Sequence, residues 1–224
     1  LQLDEVLLVA QAHELASYYS VYSAFAANQE YGANIADMSK EAAFAELTAE
    51  MNTQAFDVIL KAAQHKPQFD FDASPILNGA VDPNGYLQMF KLKLNQAAQG
   101  IYQTTRLSQP NKLIVGTTVA AYLSMMNDFQ AEKNDDIVGP YRAGKLDQFD
   151  VYCNPNYDPN TWVMSSKSND LRRNSILFGE YMPMMQTDPI TLSDMSSQQG
   201  YAAMYDIKVM NPGTVTSGRL LGSF

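Results

Sequence analysis

The chain has 224 residues, 46% of them hydrophobic, enough to bury one or two cores, which excludes disorder as its main state. A formal charge of −9 argues against binding nucleic acid through Lys and Arg on phosphates, and suits a solubilising surface. The single cysteine, Cys153, excludes an intrachain disulfide and fits folding in a reducing cytoplasm. No stretch approaches the roughly 18 apolar residues of a membrane helix. Leu1 is followed by Asp4 and Glu5 with no basic start, so no signal peptide is expected. There is no initiator Met, and the chain is expected to be a processed or trimmed product, or part of a longer one.

Residues 3–11 read as a strand. A helical stretch follows from His13 to Tyr31 and stops at Gly32, a C-cap residue type. Asp37 or Ser39 can cap the next helix, expected over 39–65 and ended by Pro67. Its positions Phe44, Leu47, Met51, Ala55, Val58 and Ala62 fall three or four apart and form one apolar stripe, on a helix that would span about 40 Å. Residues 66–83 hold three Pro and alternate Phe69, Asp70, Phe71 and Asp72, which reads as a loop or short strands at a domain junction. Pro83-Asn84-Gly85 opens a helix to Thr105 with a stripe of Leu87, Phe90, Leu94, Ala98 and Ile101. Lys112–Val115 is a short strand, and Thr117 caps a helix expected to reach Phe129. The polar run 130–145 reads as a loop, and strands are expected at 147–153 and 160–166. Lys167 to Asn174, with Arg172 and Arg173, reads as an exposed loop. Strands at 175–182 and 200–210 follow, and from Gly213 the chain is Gly, Ser and Thr with one apolar pair, Leu220-Leu221, so a flexible or neighbour-held tail is expected. This order of elements suggests an α/β domain with a central sheet.

No catalytic constellation accompanies this order. His13 and His65 lie in separate elements about fifty residues apart, and a two-His metal site needs a carboxylate supplied by the fold. There is no Gly-x-Ser-x-Gly, no Gly-x-Gly-x-x-Gly and no phosphate-binding loop. The pairs Asp70/Asp72 and Asp135/Asp136 lack the spacing of a helix–loop–helix calcium site and read as solvated loop carboxylates. Cys153 lies in a strand-like run and reads as a buried free thiol. No catalytic, cofactor-binding or metal residue is assigned. The 12 Met and 13 Tyr, clustered at Met125-Met126 and Met182-Pro183-Met184-Met185, suit irregular packing and half-buried surfaces between copies of the chain.

Three C-terminal segments carry a resemblance: 148–164 (QFDVYCNPNYDPNTWVM), 176–190 (ILFGEYMPMMQTDPI) and 200–212 (GYAAMYDIKVMNP). With Leu47–Leu60 as the end of a long helix, Tyr86–Thr105 as a domain helix and Lys112–Leu123 as a strand, turn and helix, the ordered set resembles the major capsid protein of T-even-like tailed phages. The resemblance covers residues 1 to about 212 in order and spacing.

That family has the Hong Kong 97-type shell fold, so the resemblance implies an α+β chain with a peripheral domain holding a long spine helix and an axial domain with a central β-sheet flanked by helices. The implied boundaries are 1–83 for the peripheral domain with its spine helix at 39–65, 84–190 for the axial domain, 191–212 for the returning strand and 213–224 for the tail. The crossings fall at Pro67–Pro83 and Pro189–Gln199. In that family an N-terminal arm and an extended loop precede the spine helix, and no counterpart of either is expected within these 224 residues.

The implied function is self-assembly through hexamers and pentamers into an icosahedral head enclosing DNA, without sequence-specific DNA binding, cofactor or membrane. The implied location is the virion, with assembly in the host cytoplasm. A vertex protein, portal, scaffold and decoration proteins are the implied further partners. The alternatives are the pentamer-forming vertex paralogue, which shares the fold, and a soluble enzyme with an unrecognised site. Arg172 and Arg173 are the candidate inter-subunit contacts, because guanidinium forks suit carboxylates on a neighbour.

Overall fold

A computed structural model describes residues 6–32, 34–107, 109–132 and 139–222. The chain divides into two compact units, unit 1 being residues 1–55 with 178–208, and unit 2 being residues 56–177 with 209–224.

Unit 1 is built on strand β11 (Ser196–Val209). Strand β1 (Gln11–Ser20) pairs with it antiparallel, from Gln11↔Tyr205 to Ser20↔Ser196. Strands β9 (Ile176–Gln186) and β10 (Ile190–Thr191) also pair with β11. Burial alternates along β11, as the two-residue period of a strand requires when one face is covered. Ser197, Gln199, Tyr201, Ala203, Tyr205 and Ile207 face inward.

Helix α1 (Val21–Tyr31) starts where the Ser20 hydroxyl accepts from the Tyr22 amide, and it stops at Gly32, whose φ of 63° favours glycine. Helix α2 (Ile35–Ala62) follows. Its cap is Asn34, whose Oδ1 accepts from the Ala36 amide and whose Nδ2 donates to Asp37. Ala43 and Leu47 of α2 are buried with Tyr201, and Leu15, Phe44 and Met184 pack around them.

Unit 2 contains an eight-stranded sheet in the order β2-β12-β8-β4-β7-β6-β5, with β3 also paired to β12. These strands are β2 (Gln64–His65), β3 (Phe71–Asp72), β4 (Lys112–Val115), β5 (Phe129–Ala131), β6 (Tyr141–Leu146), β7 (Phe149–Cys153), β8 (Thr161–Ser165) and β12 (Thr216–Leu221). Parallel pairing of β4 with β7 and antiparallel pairing with β8 bury β4 at the centre. Helix α4 (Pro83–Thr105) begins at Asp82, whose carboxylate accepts from the Gly85 amide. Its buried residues are Leu87, Phe90, Leu94, Ala97, Ala98 and Ile101, the expected stripe with Ala97 added. Burying each large member stabilises by about 1.5–3 kcal/mol.

With helix α5 (Thr117–Ser124), α4 closes one face of the sheet over Leu113, Val115, Val151, Trp162 and Met164. The alternate strand residues Ile114 and Val163 face the other way and cluster with Ile59, Tyr157 and Val215. Both faces of this sheet are therefore covered, which is why its central strands read as continuous apolar runs. Among the described residues the remaining elements are the four-residue α3 (Ser74–Leu77) and 3-10 turns at Pro67–Phe69, Leu171–Arg173 and Pro212–Thr214.

Several expectations are corrected. Residues 11–20 form a strand, whereas a strand at 3–11 and a helix from His13 were expected; residues 1–5 lie outside the described residues. His13, Leu15, Ser17 and Tyr19 alternate with exposed neighbours, and ten paired positions on β11 decide the matter for the strand. Helix α2 starts at Ile35 and ends at Ala62, because Asn34 rather than Asp37 or Ser39 caps it. Helix α5 ends at Ser124, since the chain must turn at Met125 to enter β5. The expected loop at 130–145 contains parts of β5 and β6, with 133–138 outside the described residues.

The expected flexible tail is instead β12, antiparallel to β8 from Thr216↔Met164 to Arg219↔Thr161. The unit boundaries also differ from 83/84 and 190/191. They fall at Ala55/Phe56 inside α2, at Leu177/Phe178 inside β9 and at Lys208/Val209 at the end of β11. The Pro-rich run 67–83 stays within unit 2, where β2 and β3 tie its start to β12.

Candidate functional site

The titratable side chains are held one by one. The His13 ring stacks on Tyr205 at 4.2 Å and lies 3.0 Å from Glu50. His65 lies 3.4 Å from Asp70, whose other oxygen accepts from the Arg219 amide. The two histidines belong to different units. Asp72 accepts from the Ser74 hydroxyl and amide, which lowers its pKa and marks it as a turn residue. Asp135 and Asp136 lie outside the described residues. Cys153 is buried, and that burial pushes its thiol pKa up, away from the thiolate a nucleophile needs. Among the described residues, no three His, Cys, Asp or Glu side chains gather as a metal site, and no helix is long and apolar enough to cross a membrane.

One charge cluster of unit 2 bridges strands. Lys112 Nζ lies 2.6 Å from Asp150, and Arg142 lies 2.7 Å from Asp150 and 2.9 Å from Glu132. The hydrogen bond from Lys112 holds the Asp150 carboxyl below its ordinary value of 3.8; burial opposes this and Arg142 adds to it. A depressed carboxyl contributes stability that is complete above the unfolded value and is lost as pH falls through the folded one. Thermal melts from pH 7 to pH 3 should therefore show unit 2 weakening below about pH 4. Asp150→Asn should cost about 1 kcal/mol at pH 7 and flatten that acid loss. An equally steep acid loss in the variant would remove Asp150 from the account.

The exposed side chains are more telling than the titratable ones. Of the 22 large hydrophobic residues exposed among those described, 14 belong to unit 1. Helix α1 buries no residue at all, and Tyr22, Phe25 and Tyr31 project from it. On the sheet, Tyr18, Gln198 and Ile190 stand in one row across β1, β11 and β10, and Gln198 donates to the Tyr18 hydroxyl at 3.0 Å. Tyr18 is 65% exposed and Ile190 62%. Patches of this kind on a folded chain mark surfaces for other macromolecules. The sequence signal for them was the Tyr and Met content; it carried no positions, because exposure of an aromatic depends on what lies over it.

Arg172 and Arg173 sit in the Leu171–Arg173 turn, where Asp170 accepts from the Arg172 amide. Both side chains are exposed, as is Leu171, and Arg173 reaches Asp170 only at 3.6 Å. The fold does not bring this turn together with any other cluster of charges among the described residues.

A sequence model of the major capsid protein Gp23 family matches residues 1–221. The chain belongs to the Gp23 major capsid protein family. A search of curated proteins gives no match. Solved structures similar to this chain include a virus-like particle from Pyrococcus furiosus, with a TM-score of 0.59 at 10% identity over 94% of this chain and 77% of that one. A protein of Mycobacterium phage Che8 gives a TM-score of 0.60 at 12% identity, over 93% and 70% of the two chains. The mature capsid of bacteriophage PhiM1 gives 0.59 at 10%, over 100% and 77%.

At such identities the likeness is one of fold, and the fold is the α+β Hong Kong 97-type shell fold. A Gp23-family chain is a structural, capsid-forming protein of a virion, and its function lies in contacts between copies. The exposed surfaces, rather than any cleft, are its candidate functional site.

Proposed function

We propose that this chain is the hexamer- and pentamer-forming subunit of an icosahedral phage head of the T-even-like kind, that it encloses DNA without reading its sequence, and that it catalyses no reaction. The observation that carries this is the match of the capsid family over residues 1–221, together with exposed apolar surface concentrated in unit 1. In this reading unit 1 corresponds to the peripheral domain, with α2 as the spine helix, and unit 2 to the axial domain. Head-to-tail contacts around a ring close without leaving an open edge, and the shell multiplies weak contacts into a stable whole. A net charge of −9 keeps an inner wall from adhering to packaged DNA. Assembly takes place in the host cytoplasm, where the buried free Cys153 stays reduced. The vertex protein, portal, scaffold and decoration proteins would meet the same shell.

Arg172 and Arg173 would lie at a contact between subunits. Electron microscopy of the expressed chain tests the whole reading. Rings or shells are the expected result, and changing both arginines to Ala should weaken them while leaving the melting temperature of the subunit unchanged. Monodisperse monomers that turn over a small molecule would sink it.

A further inference from the structure

The charge of this chain is divided unevenly between its units. Residues 1–55 and 178–208 carry 12 acidic side chains against two basic ones, Lys40 and Lys208. The remaining residues carry 12 acidic and 13 basic side chains. The whole negative charge of the molecule therefore belongs to unit 1, the unit that also exposes most of the large apolar side chains.

Within unit 1, one face of the sheet lies over α2 and the other is open. Leu15 of β1, Tyr201 of β11 and Met184 of β9 point to the covered face. Strand alternation then places Glu14, Tyr18, Gln198, Tyr181 and Met185 on the open face. Across it Tyr18 aligns with Ile190, and α1 continues from the end of β1, its first amide bonded to the Met195 carbonyl at 3.0 Å. Part of this face is already covered from within. Leu8 lies where a Cβ on Gly179 would stand, Val9 donates to Asp206 and Lys208 donates to the Leu7 carbonyl. The open face therefore accepts chain laid over it. Glu14 and Asp188 at its margins are exposed, and no partner for either side chain is found among the described residues.

We propose that this acidic, aromatic face docks on unit 2 of a neighbouring copy, with the neighbour's Leu171–Arg173 turn as its cationic anchor. The inference rests on the assembly reading above and adds which surfaces meet. Two copies of unit 1 set face to face would bring like charges together, which electrostatic complementarity disfavours. The turn 167–174 offers the opposite sign, with Lys167, Arg172 and Arg173 against Asp170, and presents the exposed Leu171 to an apolar surface. A contact between unlike surfaces is heterologous, and so generates rings when its rotation closes.

The test is sedimentation velocity of the 224-residue chain at about 50 mM and about 500 mM NaCl, a range over which screening shortens from well over 10 Å to a few ångströms. The wild type should associate, and less at high salt. R172E/R173E and E14K/D188K should each associate about tenfold more weakly or worse, with unchanged melting temperatures. A one-to-one mixture of the two variants should recover association, because every contact in an alternating ring then pairs opposite charges again. Phe25→Ser, at a helix position that is 67% exposed, should weaken association in the same way without lowering subunit stability. Wild-type-like assembly by either charge variant alone overturns the proposed contact and leaves the capsid reading standing. A wild type that stays monomeric at both salts overturns both.

Discussion

Leu47→Asp is expected to destabilise unit 1 by about 4 kcal/mol or more. Leu47 is 3% exposed, in a buried cluster with Ala43 and Tyr201. Replacing it removes a buried aliphatic side chain and leaves a carboxylate among Leu15, Phe44 and Met184. Those neighbours offer no side-chain amide or cation to pair with it. Most of the cost is therefore desolvation of the new charge, with the lost apolar burial added to it. Met38→Asp on the same helix is the control, because Met38 is 60% exposed and its change should cost almost nothing. Denaturant unfolding of both variants reads the difference. Equal midpoints for the two would show that the stripe of α2 is not held under β11.

Gly218→Val carries the second large effect, and it examines the end of the chain. A Cβ at Gly218 would stand 2.4 Å from Cζ2 and 2.7 Å from Cε2 of Trp162. Trp162 is fully buried on β8, directly opposite Gly218 in the β12–β8 ladder. The indole cannot move without displacing the core it shares with Leu113, Val151 and Met164. Overpacking of this kind costs about 1–3 kcal/mol, with the upper end expected where the obstacle is a rigid ring in a filled core. Ser217→Ala, one residue away, introduces no such clash and should be mild. Thermal melts with Trp162 fluorescence as the probe give the answer for unit 2. A Val variant that melts with wild type and keeps the Trp162 emission maximum would mean that β12 does not lie against β8 in solution.

Helices α2 and α4, the strands β4, β7 and β8, and the buried state of Cys153 were legible in residue spacing. In each case the signal is local. An apolar residue every three or four positions, or an unbroken apolar run, reports a covered face whatever the covering element is. Asp82 and Pro83 announce the start of α4 in the same local way. The capsid family was legible too, because the ordered set of segments survives even where no one segment is distinctive. Among the candidate contacts, exposure of Arg172 and Arg173 followed from a polar loop composition.

What escaped the sequence was decided by partners distant along the chain. Residues 11–20 have helix-compatible composition and become a strand because ten positions of β11 are presented to them. Residues 216–221, rich in Ser, Thr and Gly, read as a tail and become an inner strand because β8 and the short strands β2 and β3 receive them on both sides. Gly218 is required there by Trp162, some fifty residues earlier, and no local pattern carries that requirement. The unit boundaries lie inside α2 and β9, where periodicity runs on unbroken and nothing in composition changes. The open face of unit 1 is likewise tertiary, for Tyr18 and Ile190 become neighbours only across β11. Sequence by itself determined which segments bury a face and which family they compose. Pairing energy between distant segments, which no single segment encodes, decided the edges of the sheets, the division into units and the surface left for a neighbour.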